Sequence, residues 1–155
     1  LEGREFRLPN DFEGRANLVL IAFQREHQEL VDTWMPAAAA LSESLPDFRY
    51  YELPTIGSGY RLFRAFIDGG MRSGIPDREA RERTITLYLD KDEFRNALGL
   101  ASEKTVYVLV LDADGTVVLT VEGVHSVEKC AIVREAVDQL LGTGSSDTLE
   151  MQAPD

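Results

Sequence analysis

The stretch that decides the fold lies in the second half of the chain. Residues 105–111 read T-V-Y-V-L-V-L, residues 112–115 read D-A-D-G, and residues 116–121 read T-V-V-L-T-V. Two runs rich in β-branched and apolar residues are typical of strands. The short polar link between them, with Gly115 free to take a positive φ, predicts a tight turn. The sequence therefore predicts an antiparallel hairpin here.

Upstream of the hairpin the pattern predicts a strand, a helix and a second strand. Residues 17–23, N-L-V-L-I-A-F, form a continuous apolar run that suits a strand buried on both faces. Residues 30–45 carry apolar side chains at spacings of three and four, with Pro36 expected to kink that helix. Residues 48–53 read as a short strand closed by Pro54. A strand–helix–strand order predicts a parallel pair.

Two more helices follow the same logic. Residues 84–89, T-I-T-L-Y-L, predict a third strand, and Asp90 can cap a helix that Gly99 ends. That helix should turn Phe94, Ala97 and Leu98 inward. Ser126 can cap a last helix, whose expected inward side chains are Val127, Ala131, Val133, Ala136, Val137, Leu140 and Leu141.

Together these elements predict an α/β three-layer sandwich, with a mixed central sheet, a C-terminal β-hairpin and a closing helix. The chain has 155 residues, 44% of them hydrophobic, which suits one domain with a real core. We expect the domain to span residues 1–141, with an inserted segment at about 55–83. Residues 142–155 are polar and should form a flexible tail.

Composition narrows the function classes. The net charge of −11 disfavours nucleic-acid binding, because a polyanion repels an acidic surface. No segment reaches the 18 apolar residues expected of a membrane-spanning helix. The single cysteine, Cys130, excludes an internal disulfide, and no Cys/His cluster predicts a metal site or a cofactor. The chain begins at Leu1 rather than Met, so we expect an upstream piece to have been removed, which leaves the compartment open.

The element order resembles that of the thioredoxin superfamily, and three local stretches agree with it. Residues 6–14, F-R-L-P-N-D-F-E-G, resemble the segment before the first strand of peroxiredoxin-like and thiol-reductase-like members. Met35-Pro36-Ala37 resembles the helix proline that follows their active cysteines. Residues 106–123 resemble their final hairpin. The resemblance covers about residues 5–141 and implies a thioredoxin-like fold.

The same resemblance locates the positions where redox chemistry would lie. Counting from Pro36 puts the two cysteine positions at Gln28 and Val31, and counting from Phe23 puts them at His27 and Leu30. The position of the cis-proline is occupied by Lys104, so the Glu103–Lys104 bond should be trans. The degenerate site positions are therefore Arg25, His27, Gln28, Val31 and Lys104.

Residues 24–31, Q-R-E-H-Q-E-L-V, contain no sulfur. Disulfide exchange and thiol peroxidase chemistry both need a thiolate at the helix start, so the resemblance implies a redox-inactive member. Cys130 lies on the expected apolar side of the last helix, where we expect a buried structural thiol.

A narrower resemblance covers residues 74–112. The stretches T-I-T-L-Y-L-D-K, F-R-N-A-L-G and V-Y-V-L-V-L-D resemble the mitochondrial ATP-synthase assembly factors that act on the membrane sector. This family is thioredoxin-like and helps a proton-channel subunit rather than acting as an oxidoreductase. The resemblance implies a protein partner, with a subunit of a membrane complex as a candidate.

The insertion supplies the candidate interaction surface. Residues 60–83 hold six arginines against four acids, a local charge of +2, whereas the rest of the chain sums to −13. Arginines interleaved with aromatic residues suit a contact surface. The candidate contact residues are Tyr60, Arg61, Arg64 and Arg72.

These observations predict a non-redox binding or assembly module. One alternative is an enzyme that uses the old pocket with His27 as a base, beside Glu26 and Glu29. Another is a redox role in which a partner supplies the thiol. The simplest expectation for His27 is a solvated helix start, with the two glutamates favourable to the helix dipole.

Overall fold

The computed structural model describes residues 8–57 and 78–142, and they build one five-stranded mixed sheet with the order β3-β2-β1-β4-β5. Strands β1 to β3 are parallel, whereas β4 runs antiparallel to β1 and β5 antiparallel to β4. The strands are β1 Ala16–Ala22, β2 Phe48–Gly57, β3 Leu87–Leu89, β4 Tyr107–Asp112 and β5 Val117–Glu122.

Five α-helices and one short 3-10 turn accompany the sheet in the described residues. The 3-10 turn Arg25–His27 leads from β1 into the first helix. The helices are α1 Gln28–Asp32, α2 Met35–Ser44, α3 Arg78–Arg83, α4 Lys91–Leu98 and α5 Val127–Leu141. The expected caps are confirmed: the side chain of Asp90 accepts from the Glu93 amide at 3.1 Å, and that of Ser126 from the Lys129 amide at 3.1 Å.

The sheet buries both faces, which gives three layers. Alternate residues of β1, β2 and β4 pack on one face against α1, α2 and α5, around Trp34, Phe48 and Val133. The intervening residues pack on the other face against α4 and Phe12. The predicted three-layer α/β fold, with its mixed sheet, C-terminal hairpin and closing helix, is confirmed. This order of connections is that of a thioredoxin-like fold.

The hairpin that decided the fold is present as predicted. Gly115 has a φ of 87°, a conformation that L side chains rarely adopt. The Asp112 carboxylate accepts from the amides of Asp114 and Thr116, each at 2.9 Å. A register shift between Val110 and Leu111 places a bulge in the β4–β5 ladder. The turn residues therefore fix the hairpin through local hydrogen bonds.

The start of β1 is fixed by a glycine and a buried asparagine. Asn17 is fully buried, and its side chain accepts from the Gly14 amide at 2.8 Å and donates to the Gly14 carbonyl at 2.9 Å. A Cβ at position 14 would lie 2.5 Å from the Ala16 carbonyl oxygen. The glycine that ends the 6–14 stretch is thus required by close approach of the backbone.

The expectation of one kinked helix over residues 30–45 is wrong. The chain breaks at Thr33 and Trp34 into α1 and α2, and Pro36 lies in the first turn of α2. A proline is tolerated there because the first helical N–H groups have no partner within the helix. The Trp34 indole donates to the Gly123 carbonyl at 2.9 Å, which anchors the break.

The expected ends of two strands are also wrong. Pro54 does not close β2, which continues to Gly57 and so includes the first residues of the expected insertion. The ladder with β1 ends at the Ala22–Pro54 pair, and β3 pairs with β2 from Thr55 onward. The proline therefore lies where β2 exchanges one neighbour for another. β3 is only three residues long, and residue 84 contacts β2 through a single bridge to Glu52.

The predicted inward faces of α4 and α5 need correction. Ala97, Val127 and Ala131 are exposed, Val127 by 78% of its surface. The buried side of α5 is set by Val133 and Val137, and Val127 lies six positions earlier, about 120° around the axis. Cys130 is half-buried rather than buried. Gly142, with a φ of 72°, ends α5; the tail from residue 143 onward lies outside the described residues.

Candidate functional site

The two stretches that carry redox chemistry in the resembling proteins meet at one end of the sheet. The turn after β1 faces the loop before β4, and the Lys104 backbone lies near enough to the His27 ring to affect its pKa. Beside it, the Gln24 side-chain amide donates to the Glu103 carbonyl at 3.0 Å. We call residues 23–28 and 101–106 the junction.

The expectation of a solvated His27 is wrong. Only 5% of its surface is exposed, because the 3-10 turn points the ring inward. Its Nδ1 accepts from the Phe23 amide at 3.4 Å. Because Nδ1 is an acceptor, the neutral ring carries its proton on Nε2. Nδ1 is therefore engaged within the protein.

Burial lowers the pKa of His27 below its usual 6.5, because desolvation disfavours the charged imidazolium. The Glu26 carboxylate and the Lys104 carbonyl oppose that shift, whereas the Lys91 ammonium adds to it. His27 is accordingly neutral at pH 7.

The other positions that the resemblance identified differ from one another in exposure and in contacts. Arg25 and the Lys104 side chain are exposed, and Val31 is 3% exposed within the core. Gln28 is exposed and donates to Asp32 at 2.9 Å and to Glu52 at 3.4 Å. A residue at position 31 points into packed side chains, and position 28 faces water. None of these positions carries a thiol or a hydroxyl group.

Glu52 on β2 is the second titratable group of this end of the sheet. Burial raises the pKa of its carboxyl group; the hydrogen bond from Gln28 opposes the rise, and the Asp32 carboxylate adds to it. Arg83 also acts on Glu52, from the end of α3. Its guanidinium lies 4.5 Å from the centre of the Tyr50 ring. Arg83 therefore anchors the end of α3 against β2.

On its other side the junction is held by charged residues of α4, which were not among the residues predicted from the sequence. Lys91 on α4 donates to the Phe23 carbonyl at 2.8 Å, and its Nζ lies 3.6 Å from the Glu103 carboxylate. Arg95 lies 3.8 Å from the same carboxylate and 2.6 Å from Asp92. In the sequence these residues look like an ordinary solvated helix face, so no pattern distinguishes them.

The loop before β4, where the resembling proteins have their cis-proline, is ordered by local hydrogen bonds. Within the described residues the single cis peptide bond is Leu8–Pro9, so the Glu103–Lys104 bond is trans, as predicted. The Ser102 hydroxyl accepts from the Lys104 amide at 2.9 Å, and the Ser102 amide donates to the Tyr107 hydroxyl at 3.0 Å.

The remaining histidine and the cysteine lie on other elements. The backbone amide of His125 donates to the Thr33 hydroxyl at 3.0 Å, and its ring contacts the Trp34 ring edge-on, with centroids 5.1 Å apart. Cys130 belongs to α5, outside the junction. Over residues 8–57 and 78–142, no group of three His, Cys, Asp or Glu side chains could hold a metal ion.

In chemical terms, the junction is occupied by the buried and hydrogen-bonded side chain of His27. A general base needs a free lone pair that faces a substrate, and Nδ1 of His27 already accepts from Phe23. The geometry thus gives no support to His27 as a base. The predicted contact residues Tyr60, Arg61, Arg64 and Arg72 lie outside the described residues.

Comparisons with known proteins add little to this description. No protein-family model matches the chain, and no curated protein matches it either. Among solved structures, the exposed lipoprotein thioredoxin Etrx1 of Streptococcus pneumoniae is similar over 81% of this chain and 85% of its own, at 16% identity and a TM-score of 0.49. No helix in the described parts is long and apolar enough to cross a membrane. The fold assignment therefore rests on the strand order and connections given above.

Proposed function

We propose that this chain is a non-redox thioredoxin-like binding module that helps another protein to assemble or to stay in place. The observation that carries the proposal is the buried His27, which occupies the junction and whose Nδ1 accepts from the Phe23 amide. Because a side chain of the protein itself occupies this site, the site offers a surface for binding rather than a group that reacts with a substrate.

The absence of sulfur from residues 24–31 supports the same proposal. Thioredoxin chemistry requires a thiolate whose pKa is lowered at a helix start. Here the first helix begins at Gln28, whose side chain bonds carboxylates of this chain. The half-buried Cys130 on α5 does not supply the thiol that the junction lacks.

We propose that the contact with the partner is made by the arginine-rich insertion, through Tyr60, Arg61, Arg64 and Arg72. Residues 60–83 carry +2 in a chain of net charge −11, and Arg forms strong charge-assisted bonds with carboxylates. The partner surface should accordingly be acidic or aromatic. The assembly-factor resemblance of residues 74–112 makes a subunit of a membrane complex the partner class that we propose.

The experiment is capture of the native partner by crosslinking and co-purification, with matched variants. Arg61→Ala combined with Arg64→Ala should reduce capture at least several-fold, and more at low salt than at high salt. The control is Arg15→Ala combined with Arg134→Ala, which removes the same charge from two exposed ion pairs, with Asp47 and Asp138. The control should leave capture unchanged.

Three outcomes would count against the proposal. Equal loss of capture in both double variants would show that only net charge matters. Unchanged capture in Arg61→Ala/Arg64→Ala would place the contact elsewhere. Capture that depends on Cys130, through a mixed disulfide, would favour instead a redox role with the second thiol supplied by the partner.

A further inference from the structure

The junction is held in place by a hydrogen-bond acceptor, Nδ1 of His27, that cannot accept once acid has protonated it. Phe23, at the end of β1, directs its amide N–H at Nδ1 of His27, and Phe23 is itself 2% exposed. An imidazole nitrogen accepts a hydrogen bond only while it is unprotonated. When Nδ1 takes a proton, two donors face each other in a buried place, and the Phe23 amide has no partner there.

The charges around the ring decide whether the protonated form can be accommodated. Lys91, on α4, is bonded to the Phe23 carbonyl, so its ammonium group lies beside the ring and repels an imidazolium. Glu26, on the same turn as His27, attracts it but is itself exposed to water, which screens it. The Lys104 backbone also favours the protonated ring, since it raises the pKa of His27. Glu103 is engaged by Lys91 and Arg95.

We infer that protonation of His27 loosens the turn after β1, because it removes the acceptor of the Phe23 amide, so that acid opens this part of the junction while the sheet stays folded. The proton goes to Nδ1, and the bond that breaks is the hydrogen bond from the Phe23 amide. This inference concerns the conformation of the free chain and does not depend on the proposed binding role.

The size of the effect follows from the ordinary titration of an exposed imidazole. At pH 5 a histidine with the unperturbed pKa of about 6.5 is protonated roughly 30 times more often than not. The open junction gains that factor relative to a closed junction that excludes the proton, so about 30-fold is the upper limit of the shift between pH 7 and pH 5. We expect the ratio of open to closed junction to rise at least several-fold between pH 7 and pH 5.

The test is amide hydrogen exchange of the free protein at pH 7 and pH 5, expressed as protection factors that correct for intrinsic exchange. The chain has two histidines, so the His125→Gln variant leaves His27 as the one that titrates. In the wild type and in His125→Gln, protection of the Phe23 amide should fall several-fold at pH 5. The Leu20 and Val108 amides, in the centre of the sheet, should keep their protection. His27→Gln, whose side chain does not titrate, should show no pH-dependent change at the junction.

Three results would overturn the inference. One is unchanged protection of the Phe23 amide between pH 7 and pH 5 in His125→Gln. Another is an equal loss in His27→Gln, and the third is simultaneous loss at Leu20, which would mean global unfolding. If His27→Gln does not fold, the ring proton signal of His27 in His125→Gln decides: it must titrate over the same pH range as the Phe23 amide protection, and a ring that titrates independently of it contradicts the inference.

Discussion

Replacement of His27 by alanine distinguishes a histidine that holds the fold from one that performs chemistry. The change removes the acceptor of the Phe23 amide. A buried backbone group without a partner costs about 1–3 kcal/mol. The full cost applies here because Phe23 is buried.

The ring itself adds a second contribution. His27 is 5% exposed, and deletion of a buried side chain also leaves a cavity that the surroundings fill only in part. We therefore expect His27→Ala to lower the free energy of unfolding by about 2–4 kcal/mol at pH 8, where the imidazole is neutral. A catalytic residue would behave differently, because functional residues commonly cost stability and their removal is then neutral or stabilising.

The assay is urea unfolding followed by the fluorescence of Trp34, the only tryptophan in the chain. The matched control is His125→Ala, which removes a half-buried ring whose main contact is the edge of Trp34, and which should cost about 1 kcal/mol or less. A His27→Ala variant within about 0.5 kcal/mol of the wild type would refute the reasoning, since surface changes typically stay in that range.

Three further predictions follow from single contacts. Asn17→Ala should cost about 2–4 kcal/mol in the same urea assay, because it leaves both buried backbone groups of Gly14 without partners; a cost below 1 kcal/mol would refute it. Glu52→Gln should stabilise the protein at pH 7 and less at pH 4.5, because a carboxyl pKa raised by burial costs stability above that pKa and the cost fades as pH falls toward the unfolded value; an equal effect at both pH values would contradict this. Cys130 should react with a thiol reagent several-fold more slowly in the folded protein than in urea, since it is half-buried; equal rates would show full exposure.

Much of the fold could be predicted because it is specified locally. The D-A-D-G turn and the caps at Asp90 and Ser126 each satisfy backbone groups within a few residues of themselves. The apolar run of β1 indicates a buried strand whatever its partners are. Such signals do not depend on the rest of the chain. The closing hairpin and both capped helices were therefore correctly predicted.

The errors arose where distant contacts decide. The break between α1 and α2 depends on the Trp34 indole reaching Gly123, 89 residues away. The extension of β2 past Pro54 depends on β3, which supplies the new neighbour. The outward position of Val127 depends on which side of α5 meets the sheet. Periodicity alone cannot reveal these choices.

The junction could be located from the sequence but its state could not. The resemblance identified positions 27 and 104, which lie in the turn after β1 and in the loop before β4. The burial of His27 follows from a 3-10 turn that no local pattern predicts. The roles of Lys91 and Arg95 likewise follow from a helix packed beside the junction, which becomes visible only in three dimensions.

The most direct test of the central claim, that this thioredoxin-like domain performs no thiol chemistry, is the reduction of insulin disulfides by the purified chain with dithiothreitol as reductant. The wild type and Cys130→Ser should both match the buffer control, because residues 24–31 contain no sulfur and disulfide exchange requires a thiolate. Catalysis above the control that disappears in Cys130→Ser would contradict the account, since it would make the half-buried thiol of α5 a reacting group.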